Sequence, residues 1–217
     1  MAILEHLKGL LDIYNLLIIP AAIIAIVFHE VSHGYAAYLL GDNTAKDMGR
    51  LTLNPIPHID IFGILAMIVF KFGWAKPVPV NPGNFKNRKL GMAIVALAGP
   101  VSNLILSFIS LVFFCLTIKY GSNTLFWTIL NRFFLLLCML NIGLMLFNLI
   151  PISPLDGSKI LYAVLPGRVY YKILQYEQYG FILLIALIFF TPLSSWIGNL
   201  RGLILDSMAR FVGGFFF

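Results

Sequence analysis

The stretch LLIIPAAIIAIVFHEVSHGYAAYLL, residues 16–40, decides what kind of molecule this is. It belongs to an apolar run over 10–40, longer than the roughly 20 residues that carry a helix across about 30 Å of hydrocarbon. Inside that run stand His29, Glu30 and His33. A glutamate about ten residues into an apolar helix is costly unless it faces a bundle interior and has a task there. The run is too long for a cleaved signal peptide, has little positive charge before it, and carries ionisable groups that a discarded segment does not need. It is therefore expected to be mature structure, one long helix stopping at a Gly41-Asp42 cap.

The rest of the chain repeats the message. Of 217 residues, 60% are hydrophobic and 11% charged, against about 25% charged in a soluble domain. Further spans are expected over 91–118, 126–149 and 180–200. The apolar piece 61–70 covers only about 15 Å as helix, so it is expected to re-enter rather than cross. Proline and asparagine break the polar stretch 42–60, the basic loop 71–89 and the segment 151–157. The fold class is thus an all-α membrane bundle of about four full spans, with a re-entrant segment and room for an interfacial helix in the tail from Arg201. One integral-membrane domain is expected over 1–217, with its core at about 10–165 and C-terminal helices over 166–217. No repeat or appended soluble domain is visible. Cys115 and Cys138 lie inside apolar runs without ligand spacing and read as packing residues.

The net charge of +6 does not point to nucleic acid, because the basic residues sit in loops beside spans. If 61–70 re-enters, loops 41–60, 71–90 and 151–177 share one side. That side holds Lys46, Arg50, Lys71, Lys76, Lys86, Arg88, Lys89, Lys159, Arg168 and Lys172, ten of the fifteen basic residues, and positive-inside bias makes it cytoplasmic.

The chemistry begins with H-E-x-x-H. Residues four apart share a helix face, so His29 and His33 can ligate one metal with Glu30 beside it as general base. A packing role for the three as polar glue between helices is the alternative. Catalytic zinc takes three protein ligands and an open position. Asp156 is the candidate third ligand, where Pro151 and Pro154 break the helix and Gly157 permits a close turn. Spacing alone leaves it equally fit to cap the helix that starts near Ser158.

Taken together, His29-Glu30-x-x-His33, the Gly99-Pro100-x-x-Asn103 opening of the next full span, and Asn148 through Leu155-Asp156-Gly157 resemble the site-2 protease family of intramembrane zinc metalloproteases. The likeness covers roughly 16–165. The stretches 49–55 (GRLTLNP) and 72–80 (FGWAKPVPV) resemble its short bacterial and archaeal branch without a PDZ domain. As a departure from that pattern, the ligand-bearing helix is expected to lack the preceding span that some relatives carry. The resemblance implies one Zn2+ held by His29, His33 and Asp156, Glu30 as catalytic acid/base, and a site at the cytoplasmic side of a prokaryotic plasma membrane. It also implies that Asn148 binds the substrate backbone or the oxyanion, and that Asn103 bonds between helices.

On this reading the partners are the lipid bilayer and a membrane-protein or signal-peptide substrate, with no nucleic acid; the oligomeric state is not legible. Segment 51–73 is expected to offer a strand edge to the unwound substrate. His58 reads as structural or solvated, and Asn141 as interhelical glue. A metal transporter needs acids staged along a path, whereas the intramembrane acids here are essentially Glu30 and Asp156. A silent scaffold has no chemical need for Glu30.

Overall fold

The computed structural model describes residues 16–61, 63 and 75–216. Among them the elements are α1 (Ile18–Leu39), α2 (Thr44–Asp47), α3 (Arg88–Tyr120), α4 (Leu125–Asn148), α5 (Asp156–Val164), α6 (Gly167–Leu174), α7 (Gly180–Phe190) and α8 (Leu193–Phe216), with short 3₁₀ turns at Ile56–His58, Pro82–Asn84 and Glu177–Tyr179. Three of these, α1, α3 and α4, are long and apolar enough to cross a membrane, and the bent pair α7–α8 makes a fourth if counted as one span. The all-helical membrane fold follows from composition: in lipid every backbone group must be satisfied within its own segment, which helices do.

Helix ends sit where the local chemistry puts them. Gly41 takes a positive φ of 99°, and its N–H reaches the Tyr38 carbonyl at 3.0 Å while Asp42 N–H reaches Ala37 at 2.9 Å. This is the paired closure that a left-handed glycine allows. At the other boundary the Asn87 side chain accepts from Leu90 N–H at 3.1 Å and caps α3. Gly99 and Pro100, expected to open this span, instead lie well inside α3, which starts at Arg88.

Helices α1, α3 and α4 pack on one another through small and branched residues. Ala21 and Ala25 of α1 meet Leu137 of α4, small residues letting the backbones approach closely. A second cluster joins Leu111 and Cys115 of α3, Cys138, Ile142 and Met145 of α4, and Val212 of α8. Both cysteines are free and buried. The C-terminal region breaks at Thr191-Pro192 with a bend of 78°, and α8 then docks on α3 and α4. The tail from Arg201, given room as an interfacial helix, therefore continues a bundle helix from Leu193.

The loops expected to share a side do share one end of the bundle. Lys76 N–H donates to the His58 carbonyl at 2.9 Å, and Lys89 Nζ to Leu165 at 2.9 Å. Asp42, buried at the end of α1, accepts from Thr44 N–H and Oγ1, from Asn81 N–H at 2.7 Å and from Asn84 Nδ2 at 2.7 Å. Burial alone pushes the Asp42 carboxyl up; the hydrogen bonds outweigh it and hold the group below its ordinary value. Most of the expected re-entrant piece lies outside the described residues. Residues 51–60 form bends and a 3₁₀ turn rather than strand. His58 is buried, its Nε2 on the Thr52 carbonyl at 2.9 Å, so it is structural and not solvated.

Candidate metal centre

Residues 29 and 33 face the bundle because α1 presents that stripe to α3. Their Nε2 atoms lie 3.0 Å apart. The chain returns to them from α4: after Asn148 the prolines end the helix, and the backbone folds back on itself at 149–157. Gly157 is required there, since a Cβ would collide with the Leu149 and Ile150 carbonyls. Asp156 opens α5 without capping it, for no side chain caps that helix and Leu155 holds the N-cap position. Its Oδ2 instead points at the histidines, 3.1 Å from His29 Nε2 and 3.1 Å from His33 Nε2. His29, His33 and Asp156 are all buried, and among the described residues they are the one group of this kind.

The protons of this triangle can be assigned from its surroundings. His33 Nδ1 faces the Val95 carbonyl at 2.7 Å. A carbonyl only accepts, so Nδ1 carries a proton, and it is the neutral ring that then offers its Nε2 lone pair to the triangle. His29 Nδ1 lies 2.6 Å from Asn103 Oδ1. The Asn103 amide is oriented by its own donors, which reach Asn141 Oδ1 at 2.7 Å and the Ala25 carbonyl at 3.2 Å, while Asn141 Nδ2 closes on Leu137 at 2.7 Å. In its neutral form His29 likewise offers the Nε2 lone pair. Asp156 Oδ2 is buried with the two Nε2 atoms as its nearest polar neighbours, and Lys159 Nζ lies 3.4 Å from its Oδ1.

With both rings neutral, these three acceptor atoms 3.0–3.1 Å apart repel one another in a low dielectric, and a cation among them removes that cost. Two ligands about 2.0–2.1 Å from a tetrahedral zinc stand about 3.3–3.4 Å apart, so the triangle needs only slight spreading to fit one. Two imidazoles and a carboxylate form a donor set that suits zinc. Gly99 completes the cradle, because a Cβ there would lie 2.5 Å from Cε1 of both rings.

A protein of Bacillus subtilis (strain 168), "Putative zinc metalloprotease YwhC", is 46% identical to this chain over 190 residues, 85% of this chain and 86% of that protein. The chain belongs to Peptidase family M50. The profile of that family matches residues 115–191, and "Putative zinc metalloprotease Rip2" of Mycolicibacterium smegmatis (strain ATCC 700084 / mc(2)155) is 27% identical over 83% of this chain and 70% of its own length. No solved structure matches. The protein is thus an M50 zinc metalloendopeptidase and an integral membrane protein, in agreement with the resemblance read from its motifs.

The remaining members of the expected site take different places in this M50 peptidase. Glu30, next to His29, accepts from Val78 N–H through Oε2 at 2.9 Å. Asn148 ends α4, half-buried, with Nδ2 on the Leu144 carbonyl at 3.1 Å. Asn103 and Asn141 bond between helices as expected. Reading the sequence missed the Val95 carbonyl and the Val78 amide. Both are backbone groups, for which no residue type is a signal.

Proposed function

We propose that this M50 peptidase hydrolyses peptide bonds in or near transmembrane segments, with one zinc per chain held by His29, His33 and Asp156. The observation that carries the reading is the buried triangle of His29 Nε2, His33 Nε2 and Asp156 Oδ2, each within 3.1 Å of the others. Zinc held there would supply a Lewis acid for the peptide carbonyl and would bring water toward a pKa of about 7. Glu30 takes the proton from the attacking water and returns it to the amine as the C–N bond breaks. Asn148 retains a second amide N–H beyond the one given to Leu144, and offers it to the substrate backbone or the developing oxyanion. Asn103 and the Val95 carbonyl hold both imidazoles in the tautomer that exposes Nε2.

Charge supports a cytoplasmic site: the loops around Asp156 and Val78 are the basic ones. The substrates that fit are single-span membrane proteins and remnant signal peptides, opened locally from helix before cleavage, in a prokaryotic plasma membrane. Glu30→Gln tests the reading. The purified variant should keep about one zinc per chain and lose cleavage, and cells carrying it should accumulate single-span proteins that the unsubstituted enzyme clears. Retained cleavage by Glu30→Gln, or protein without stoichiometric zinc, sinks it.

A further inference from the structure

The two stretches that marked the short branch, 49–55 and 72–80, contribute no ligand, yet their described parts meet beside the triangle. Arg50, buried, sends Nη2 to the Lys76 carbonyl at 2.8 Å and the Pro77 carbonyl at 3.3 Å. The next residue, Val78, donates its N–H to Glu30 Oε2. We propose that Arg50 and the Val78 backbone amide form a clamp that positions the Glu30 carboxylate. The inference rests on Glu30 being the proton carrier.

The segment is built to aim one donor. In Pro77-Val78-Pro79 only Val78 has an N–H. Proline fixes φ on either side and drives the residue before it to extended backbone, so the direction of that N–H is set by stiff chain. The segment is also anchored along its length: by Arg50, by Lys76 N–H on the His58 carbonyl, and by Asn81 N–H on Asp42. The Val78 side chain is buried at Gly34, where an added Cβ would lie 2.8 Å from Val78 Cγ1 and 2.7 Å from Leu51 Cδ2. Gly34 follows His33, so the loop docks on the turn of α1 that bears the ligands.

A glutamate with free side-chain torsions beside a metal can swing away from water or bind the ion itself. A charge-assisted N–H···O bond to Oε2 restricts that swing and leaves Oε1 to carry the proton. Arg50 is thus a positioning residue acting through a peptide bond that it never shares with substrate.

The test measures kcat, KM and zinc content of the full chain in lipid vesicles, using a dye-labelled single-span helix peptide that the unsubstituted enzyme cleaves. Val78→Pro removes the donor while keeping an extended backbone. It should lower kcat about ten- to hundred-fold, the range for a hydrogen bond to a charged group, with KM and zinc content unchanged. Arg50→Ala reads the same clamp from its other side and should lower kcat likewise; Arg50→Lys, which can still reach one carbonyl, should restore part of it. In a Glu30→Asp background, where the shortened carboxylate has already left the amide, Val78→Pro should add less than about threefold. Unchanged kcat in Arg50→Ala at full zinc content, a loss confined to KM, or a full multiplicative effect in the Glu30→Asp background overturns the clamp. Those results leave an inactive Glu30→Gln enzyme untouched, whereas an active Glu30→Gln enzyme removes the underlying reading instead.

Discussion

At the scale of single residues, the site depends on groups that hold ligands more than on the ligands' own identity. Asn103 is buried with Oδ1 on His29 and Nδ2 on α1 and α4. Its replacement by Ala leaves the His29 Nδ1 proton and Asn141 Oδ1 without partners, and affinity for zinc should fall about 10–100-fold, measured by competition with a chelator. Unchanged affinity would show that the tautomer is held some other way. Gly99→Ala should be harsher, since its Cβ would enter the space of both rings. Gly143→Ala, where nothing lies within 4 Å, is the matched control and should keep zinc.

At the scale of elements, the loop that faces Glu30 is tied to α1 by Asp42. The sign of its pH dependence follows from the carboxyl being held below its ordinary value. Asp42 contributes stability that is fully present above the unfolded pKa of about 3.9 and is lost as pH falls through the lower folded value. Asp42→Asn should therefore lower protection of the 75–87 segment against hydrogen exchange at pH 7, and the difference from the unsubstituted protein should shrink toward pH 3. A difference that does not change with pH would mean the carboxylate charge does not hold the loop. This tie was not legible beforehand. Gly41-Asp42 was readable as a helix end, but that the same aspartate gathers Asn81 and Asn84 depends on two loops meeting, and polar side chains in loops carry no mark of their distant partner.

At the scale of the molecule, α8 closes the bundle far from the triangle. Val212 is buried among residues of α3 and α4, and Lys119 Nζ donates to the Phe216 carbonyl at 2.7 Å. Val212→Ala should cost roughly 1–3 kcal/mol, the scale of a small core truncation, seen as a lower thermal midpoint in detergent with zinc stoichiometry retained. No shift would mean that α8 is not part of the stable core.

By itself the sequence determined the membrane class, the three long spans, and the placement of His29, Glu30 and His33 on one helix turn. Those features are local, set by apolar run length and the 3.6-residue period. Whether Asp156 caps a helix or turns inward was open in the sequence and was decided only by the fold, because Pro151, Pro154 and Gly157 permit a return without directing it. The approach of both Nε2 atoms to Asp156, the Val78 amide on Glu30 and the docking of α8 were likewise settled in three dimensions. Each depends on a backbone group or a packed face from a remote segment, and in lipid the apolar pattern that marks a helix does not say which of its faces meets protein.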